Sequence, residues 1–223
     1  MQYKISPSIL DVQPDQMISY VNTLIDWGVS NVHYDVMDNE FVPNKALELE
    51  KIKEIANKCK KHTMDIHLMV SDVMKYYMMY KNVGDILTFH YEAFKSKEEF
   101  FELIDQAKKD HIKIGLAINP DTDINSIFPY LKYLELVLVM SVFPGLGGQV
   151  FIEGTLERVK ILKDYVLKNN LDLIIQIDGG IKAHNIKSCY DAGITLAVVG
   201  SYLVKNFSKK EIDRLTNWDK KNW

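Results

Sequence analysis

The chain alternates from end to end between strand-like runs and amphipathic stretches, and this alternation limits its possible folds more than any other feature. Runs rich in β-branched and other apolar residues recur eight times along the 223 residues. Strands separated by helices pair in parallel, because each helix returns the chain to the edge where the strand began. The predicted strands are Tyr3–Ile9, Asn31–Met37, Met64–Leu68, Asp85–Phe89, Ile112–Ala117, Leu134–Met140, Leu171–Ile177 and Leu196–Val199.

The intervals between these runs carry helical spacing. In the first interval Met17, Val21 and Leu24 recur at i, i+4 and i+7, and Gly28 follows the last turn. Eight strand–helix units in a chain of this length predict an α/β fold, a single (β/α)8 TIM barrel spanning residues 1–223. An open doubly wound sheet is the alternative. A capping-box pattern that opens at Ser208 predicts a final helix.

Composition excludes several classes of protein. The formal net charge of −3 gives no basic surface, so we expect no nucleic-acid partner. No apolar run is long enough to cross a bilayer, and the N-terminus has no signal-peptide pattern. We therefore expect no membrane partner and a cytoplasmic location.

Histidines and aspartates stand at the ends of three predicted strands. His33 and Asp35 lie in the second strand with alternating spacing, His67 ends the third, and Asp178 follows the seventh. The carboxyl ends of barrel strands form the reactive rim, and imidazole with carboxylate suits zinc and similar ions. Separately, each residue could be a satisfied polar group or a helix cap; together they predict a metal site, with Asp65 one layer deeper as a hydrogen-bond partner.

Glycines cluster after the later strands. They permit close approach of backbone N–H groups to an anion, and barrels often bind phosphate in this sector, so we expect a phosphorylated substrate. Turns need glycine anyway, and the spacing departs from a dinucleotide fingerprint at Val150. The residues concerned are Gly145, Leu146, Gly147 and Gly148 after the sixth strand, Gly179 and Gly180 after the seventh, and Gly200 and Ser201 after the eighth.

Other residues near the predicted rim permit two interpretations. Met37, Met69 and Met140 are either core filler or a polarizable, water-poor cover over a reactive intermediate. His90-Tyr91-Glu92 has ligand-like spacing and is interpreted as a feature of the rim or a partner of the ligands. The apolar run Tyr76–Tyr80 is either a subunit contact or the inner face of a helix.

Read in order, blocks of this sequence resemble the ribulose-phosphate 3-epimerase family. They cover almost the whole chain and fall at every predicted functional strand end. The blocks are Ser6-Pro7-Ser8-Ile9-Leu10, residues 33–38 (HYDVMD), Phe41-Val42-Pro43-Asn44, residues 65–69 (DIHLM), residues 140–149 (MSVFPGLGGQ), Asp178-Gly179-Gly180 and Gly200-Ser201.

The resemblance implies a barrel of the ribulose-phosphate-binding type and a reaction. One divalent ion would be held by His33, Asp35, His67 and Asp178, with zinc favoured and iron(II), manganese and cobalt(II) open. Asp35 would remove the C3 proton and Asp178 would return one on the opposite face, which interconverts D-ribulose 5-phosphate and D-xylulose 5-phosphate through a 2,3-enediolate in the pentose phosphate pathway.

The resemblance also implies residues that bind the sugar phosphate and the state of the protein. Ser8 and His67 would contact the substrate, and the three methionines would cover the enediolate. We expect a small-molecule phosphosugar as the partner and a homo-oligomer. The phosphate side would be formed by Gly145, Leu146, Gly147, Gly148, Gly179, Gly180, Gly200 and Ser201.

The sequence departs from the family pattern at three places. Asn39 stands where glycine is usual, Lys45-Ala46-Leu47 replaces an apolar stretch, and Phe143 replaces a residue that is often polar.

Two alternative functions remain, an allulose-6-phosphate 3-epimerase and a non-catalytic phosphosugar-binding barrel. A phosphate-barrel decarboxylase is disfavoured because Met37 stands where its lysine should be.

Overall fold

Eight parallel strands form a single curled sheet in the computed structural model, which describes residues 3–217. Their hydrogen-bonded order is β1-β8-β7-β6-β5-β4-β3-β2, so strands next to one another in the chain are neighbours in space. The predicted (β/α)8 barrel is confirmed. The strands are β1 (Ile5–Pro7), β2 (Asn31–Met37), β3 (Thr63–Met69), β4 (Ile86–His90), β5 (Lys113–Ile118), β6 (Leu136–Met140), β7 (Ile174–Asp178) and β8 (Leu196–Val199).

The two ends of this sheet meet between β1 and β2. Ser8, just beyond β1, forms an isolated parallel bridge with His33. The backbone N–H of Ile9 also donates to the carbonyl of His33 at 3.3 Å. We call this junction of Ser8, Ile9 and His33 the seam, and it closes the barrel.

Helices surround the sheet on the outside. The final helix begins as its capping box predicts, with Ser208 Oγ accepting from the backbone N–H of Glu211 at 3.2 Å. The helices are α1 (Met17–Asp26), α2 (Leu49–Lys58), α3 (Val73–Tyr80), α4 (Lys97–Asp110), α5 (Thr155–Lys168), α6 (Ile186–Ala192), α7 (Ser201–Lys205) and α8 (Lys209–Thr216).

The interval between β5 and β6 differs from the others. It forms a 3₁₀ helix, Ile124–Tyr133, that contains Pro129. Proline lacks an N–H and its ring clashes with the preceding turn of an α-helix, which favours the tighter and less regular conformation. A second, shorter 3₁₀ helix, Tyr91–Ala93, follows β4 directly.

The apolar core has two main layers. The larger lies between strands and helices and includes Tyr34, Ile66 and Val137, which are fully buried. The smaller fills the inside of the barrel, with Leu136 and Leu138 among its members. Side chains alternate across each strand, so the inward series continues upward from this inner core to the mouth of the barrel.

None of the helices within residues 3–217 combines the length and apolarity that a membrane span requires.

Candidate metal centre and active site

The two predicted metal-binding strands lie side by side in matching register. Because β2 and β3 are parallel neighbours, His33 pairs with Asp65 and Asp35 pairs with His67. Residues between them, such as Tyr34, point outward and are buried against the helices. The alternation predicted from the sequence therefore places both motifs on the inner wall.

Four side chains from β2, β3 and β7 converge at the mouth. His33, Asp35, His67 and Asp178 each offer an atom within 4.8 Å of the others. Asp35 Oδ1 lies 3.4 Å from His33 Nε2 and 3.3 Å from His67 Nδ1, and Asp178 Oδ2 lies 4.0 Å from His33 Nε2. Ligands about 2.0–2.2 Å from one tetrahedral ion are about 3.4 Å apart, so these separations suit a shared metal.

His33 provides an independent test of that fit. Its Nδ1 bonds to Asp65 Oδ2 at 2.8 Å, whereas its buried Nε2 has no hydrogen-bond partner among the described residues. Buried polar atoms are rarely left unpaired, and a ring nitrogen aimed at two carboxylates is a suitable metal ligand. Asp65 is itself held by the Ser6 hydroxyl at 3.2 Å and the Gln176 amide at 2.5 Å. The residues present therefore fit a divalent ion.

Burial and neighbouring charges give the carboxyl groups of Asp35 and Asp178 different pKa values. Burial opposes ionisation of Asp35, but the charge and hydrogen bonds of His33 and His67 outweigh it and hold the pKa of Asp35 well below its usual range. Burial, together with the charges of Asp35 and Asp65, raises the pKa of Asp178 to about 7. One carboxylate is therefore ionised and the other titrates near neutrality.

His67 is the end of a buried chain of hydrogen bonds. Its Nε2 lies 2.8 Å from His90 Nε2, and His90 Nδ1 lies 3.3 Å from Glu92 Oε2. Burial lowers the pKa of His90 to about 4, so this imidazole is neutral at physiological pH. His90 was placed after the fourth strand by the sequence pattern, but it is the last residue of β4 and is fully buried.

A pocket opens above the cluster. Asp35, His67 and Asp178 line it, whereas His33 is buried beneath. The structure brings together every residue predicted to bind substrate: the lining includes Ser8, Met37, His67, Met69, Met140, Gly145, Leu146, Gly147, Gly148, Gly179, Gly180, Gly200 and Ser201. The methionines from β2, β3 and β6 lie at the strand ends, as the strand pattern indicates.

The glycine-rich loop after β6 is closely packed against its neighbours. Gln149 donates to the carbonyls of Phe143 and Leu146, at 2.7 and 2.9 Å, and so folds the loop on itself. Gly180, at φ +64°, lies against this loop: a Cβ there would stand 2.7 Å from the backbone nitrogen of Phe151. Only glycine suits both that conformation and that approach.

Several lining residues were not identified from the sequence. Asp11 and Lys182 line the pocket from the loops after β1 and β7, and Tyr202 lines it from α7. Gln176, which supports Asp65, had a detectable signal: it is a polar residue in an apolar strand, two positions before Asp178 and thus on the same face. Asn39, where the family usually has glycine, adopts φ +66°, a conformation that asparagine tolerates.

Two imidazoles and two carboxylates at the mouth of a (β/α)8 barrel define an enzyme with a candidate metal centre. The sequence matches the model of the ribulose-phosphate 3 epimerase family over residues 4–204. The chain belongs to the ribulose-phosphate 3-epimerase family, and it is an isomerase of the epimerase type.

Individual members of the family are similar in sequence to this chain along nearly its full length. The sequence is 34% identical to ribulose-phosphate 3-epimerase of Buchnera aphidicola subsp. Acyrthosiphon pisum, over 92% of this chain and 89% of that protein. It is 33% identical to the enzyme of Escherichia coli K12, over 96% and 95%. With the Aquifex aeolicus enzyme the identity is 35%, over 95% and 93%.

More distant solved structures share the fold. The tryptophan synthase alpha-subunit of Pyrococcus furiosus superposes with a TM-score of 0.68 at 13% identity, over 96% of this chain and 97% of that one. The 3-hexulose-6-phosphate synthase of Salmonella typhimurium gives a TM-score of 0.67 at 14% identity, over 95% and 96%.

Proposed function

We propose that this protein interconverts D-ribulose 5-phosphate and D-xylulose 5-phosphate by moving a proton at C3. The observation that carries the proposal is the placement of Asp35 and Asp178 at one pocket, from strands on well-separated parts of the barrel wall. Inversion at carbon needs one group to take a proton from one face and another to deliver it to the opposite face. The name shared by the relatives, ribulose-phosphate 3-epimerase, supports a ribulose phosphate as the substrate and C3 as the reacting carbon.

The two carboxylates are suited to opposite halves of this reaction. Asp35 is ionised, and Ser8 Oγ donates to its Oδ2 at 2.7 Å, which orients the carboxylate. It would take the C3 proton and leave a planar 2,3-enediolate. Asp178, with its pKa raised to about 7, can carry a proton at neutral pH and would return it on the other face.

A divalent metal fits the same site. His33, Asp35, His67 and Asp178 would hold it, and zinc is favoured by the donor set, with iron(II), manganese and cobalt(II) as alternatives. When bound, such an ion supplies Lewis-acid stabilisation for negative charge on the substrate oxygens. The buried methionines Met69 and Met140 would exclude water beside these oxygens.

The glycine-lined side of the pocket would receive the phosphate. Gly148 faces the start of α7, since a Cβ on Gly148 would stand 3.8 Å from Ser201 Oγ. The backbone of the loop after β6 and the hydroxyl of Ser201 thereby approach the same space. Backbone N–H groups and a hydroxyl are suitable donors to a phosphate.

Proton exchange in heavy water tests the proposal. The purified protein is incubated with ribulose 5-phosphate, with and without a chelator, and the product is analysed for deuterium at C3 and for xylulose 5-phosphate. We expect both, and we expect both to be lost when the metal is removed. Allulose 6-phosphate is run in parallel: exchange with that sugar alone would favour the hexulose-phosphate enzyme, and no exchange with either would favour a binding protein.

A further inference from the structure

We propose that His90 and Glu92 are positioning residues that hold His67 in the tautomer able to bind a metal through Nδ1. The inference rests on the metal site proposed above. We call His67, His90 and Glu92 the relay, because consecutive hydrogen bonds of 2.8 and 3.3 Å join their side chains. Both histidines of the relay are fully buried, so water does not compete for these bonds.

Glu92 determines which atom donates and which accepts in each hydrogen bond of the relay. Its Oε1 accepts from the backbone N–H of Asn119 at 2.9 Å and from the hydroxyl of Thr122 at 2.5 Å. A backbone N–H can only donate, so Oε1 is an acceptor. Burial opposes ionisation of Glu92, but its hydrogen bonds with His90, Thr122 and Asn119 hold its pKa below the usual value, so both carboxylate oxygens accept. Its other oxygen, Oε2, faces His90 Nδ1, and that nitrogen must therefore carry the proton.

The proton on His90 Nδ1 in turn determines which nitrogen of His67 carries a proton. A neutral imidazole has one N–H, so a proton on Nδ1 leaves His90 Nε2 as an acceptor. His67 Nε2 lies 2.8 Å from this acceptor and therefore donates to it. His67 Nδ1 is thereby left with a lone pair. That atom is the one that lies 3.3 Å from Asp35 Oδ1 within the candidate metal site.

The relay answers a problem specific to His67. Asp35 favours a proton on His67 Nδ1, where it would obstruct a metal, whereas the relay favours the proton on Nε2. His33 has no such conflict, because Asp65 binds its Nδ1 directly and leaves Nε2 for the metal. The two ligands present opposite ring atoms to the site, so each requires its own carboxylate support.

The outer end of the relay is rigidly held. Arg158 on α5 donates to the carbonyls of Asn119 and Thr122, at 2.7 and 3.0 Å. These are the two residues that donate to Glu92. The loop after β5 is thus fixed between Arg158 and Glu92, and the position of a ligand on β3 depends on contacts that reach a helix outside the barrel.

Glu92→Gln is the most informative variant. A glutamine can still accept from Asn119 through its oxygen, but its NH2 group then faces His90 Nδ1 and reverses the relay. We expect the Zn2+ dissociation constant, measured with a chromogenic chelator, to increase by about 10- to 100-fold. Glu102→Gln, the same change at an exposed position on α4, should leave it unchanged. Thr122→Val keeps the Asn119 donor and should have a smaller effect than Glu92→Gln.

Nuclear magnetic resonance of the wild-type protein supplies a second measurement. The full chain, stripped of metal and labelled with 15N-histidine, should show the His67 proton on Nε2, and Glu92→Gln should move it to Nδ1. A wild-type His67 protonated on Nδ1, or a folded Glu92→Gln protein with unchanged Zn2+ affinity, would overturn the proposal. If Glu92→Gln does not fold, the wild-type spectrum decides. Failure of the wild-type protein to bind Zn2+ would count against the metal site, while the His67 tautomer still tests the relay.

Discussion

Asp35 and Asp178 lie at one site, yet their pKa values move in opposite directions. The pKa of Asp35 is held low by the two imidazoles beside it, despite the cost of burial, whereas burial and the charges of Asp35 and Asp65 raise that of Asp178. Two carboxylates made unequal by their surroundings are suited to act as base and acid at one pH. The negative charge of Asp35 is therefore one cause of the raised pKa of Asp178.

Replacing Asp178 should separate proton exchange from inversion. In Asp178→Asn the group that we propose delivers the second proton is lost, while Asp35 should still take the C3 proton and exchange it with solvent. We expect epimerisation to fall by about 100- to 10,000-fold, with deuterium still entering C3 of the epimer that Asp35 deprotonates. Mass spectrometry of each sugar phosphate measures both quantities.

Asp35→Asn provides the matched comparison, since it should stop exchange in that epimer and leave the other to Asp178. Metal content and circular dichroism are measured on both variants, because both carboxylates are candidate ligands. Wild-type epimerisation in either folded variant would contradict the assignment of two acid–base groups.

Metal affinity should weaken as the pH falls through neutrality. The pKa of Asp178 is raised to about 7, so below that pH a proton must leave this carboxylate before it can bind an ion. One displaced proton increases the Zn2+ dissociation constant about tenfold for each pH unit below 7, and affinity approaches its limit above it. Chelator competition between about pH 5.5 and pH 8 measures this. A dissociation constant that does not change over that interval would contradict the coupling.

A negative charge beside the glycine loop should limit substrate affinity. Asp11 lines the pocket, and its Oδ2 lies 2.9 Å from where a Cβ on Gly147 would stand. A carboxylate there repels a phosphate bound by the loop. We expect Asp11→Asn to lower KM for ribulose 5-phosphate by about two- to fivefold, with kcat unchanged. Asp15→Asn, an exposed control from the segment before α1, should have no effect.

Salt separates this explanation from a change in loop shape. The advantage of Asp11→Asn should diminish as ionic strength rises, because screening weakens the repulsion in the wild-type protein. An unchanged or higher KM in Asp11→Asn would show that the phosphate lies elsewhere.

A larger residue at Gly115 on β5 should destabilise the barrel. A Cβ there would stand 2.3 Å from Thr88 Oγ1 and 3.2 Å from Leu136 Cδ2, inside the packed barrel. We expect Gly115→Ala to lower the free energy of unfolding by about 1–3 kcal/mol, measured by urea denaturation. Gly200→Ala, whose Cβ would meet Ser8 Cβ at an ordinary 3.6 Å, should cost less. If the cause is steric, adding Thr88→Ala should recover part of the loss; additive effects would contradict that cause.

The sequence predicts the barrel because its signals are local and repeated. β2 begins and ends where the alternating pattern places it, at Asn31 and Met37. The interval after β5 could not be predicted as a 3₁₀ helix from apolar spacing, since Pro129 and the packing around it decide the conformation. β1 is shorter than predicted, Ile5–Pro7, and beyond it Ser8 pairs with β2 only through an isolated bridge at the seam.

Prediction of the site has a similar limit. Parity along a strand identifies inward residues, so His33, Asp35 and His67 could be placed on the inner wall from spacing alone. The contact between His67 and His90 depends on the register of β4 against β3, where His67 pairs with Thr88. Barrel closure sets that register, and no local pattern encodes it. The orientation of the Asp11 side chain likewise depends on the conformation of the loop after β1, which no local pattern encodes.

The seam makes closure of the barrel and completion of the active site a single event. Ser8 pairs with His33 across the seam and also donates its hydroxyl to Asp35. A molecule whose seam has opened therefore loses the hydrogen bond that orients Asp35, the proposed base. Any ligand that binds only the closed form stabilises that form by RT ln(1 + [L]/Kd), so it lowers the population of molecules with an opened barrel. Occupancy by substrate then protects the polypeptide from proteases that attack opened chains, and turnover and lifetime become linked properties.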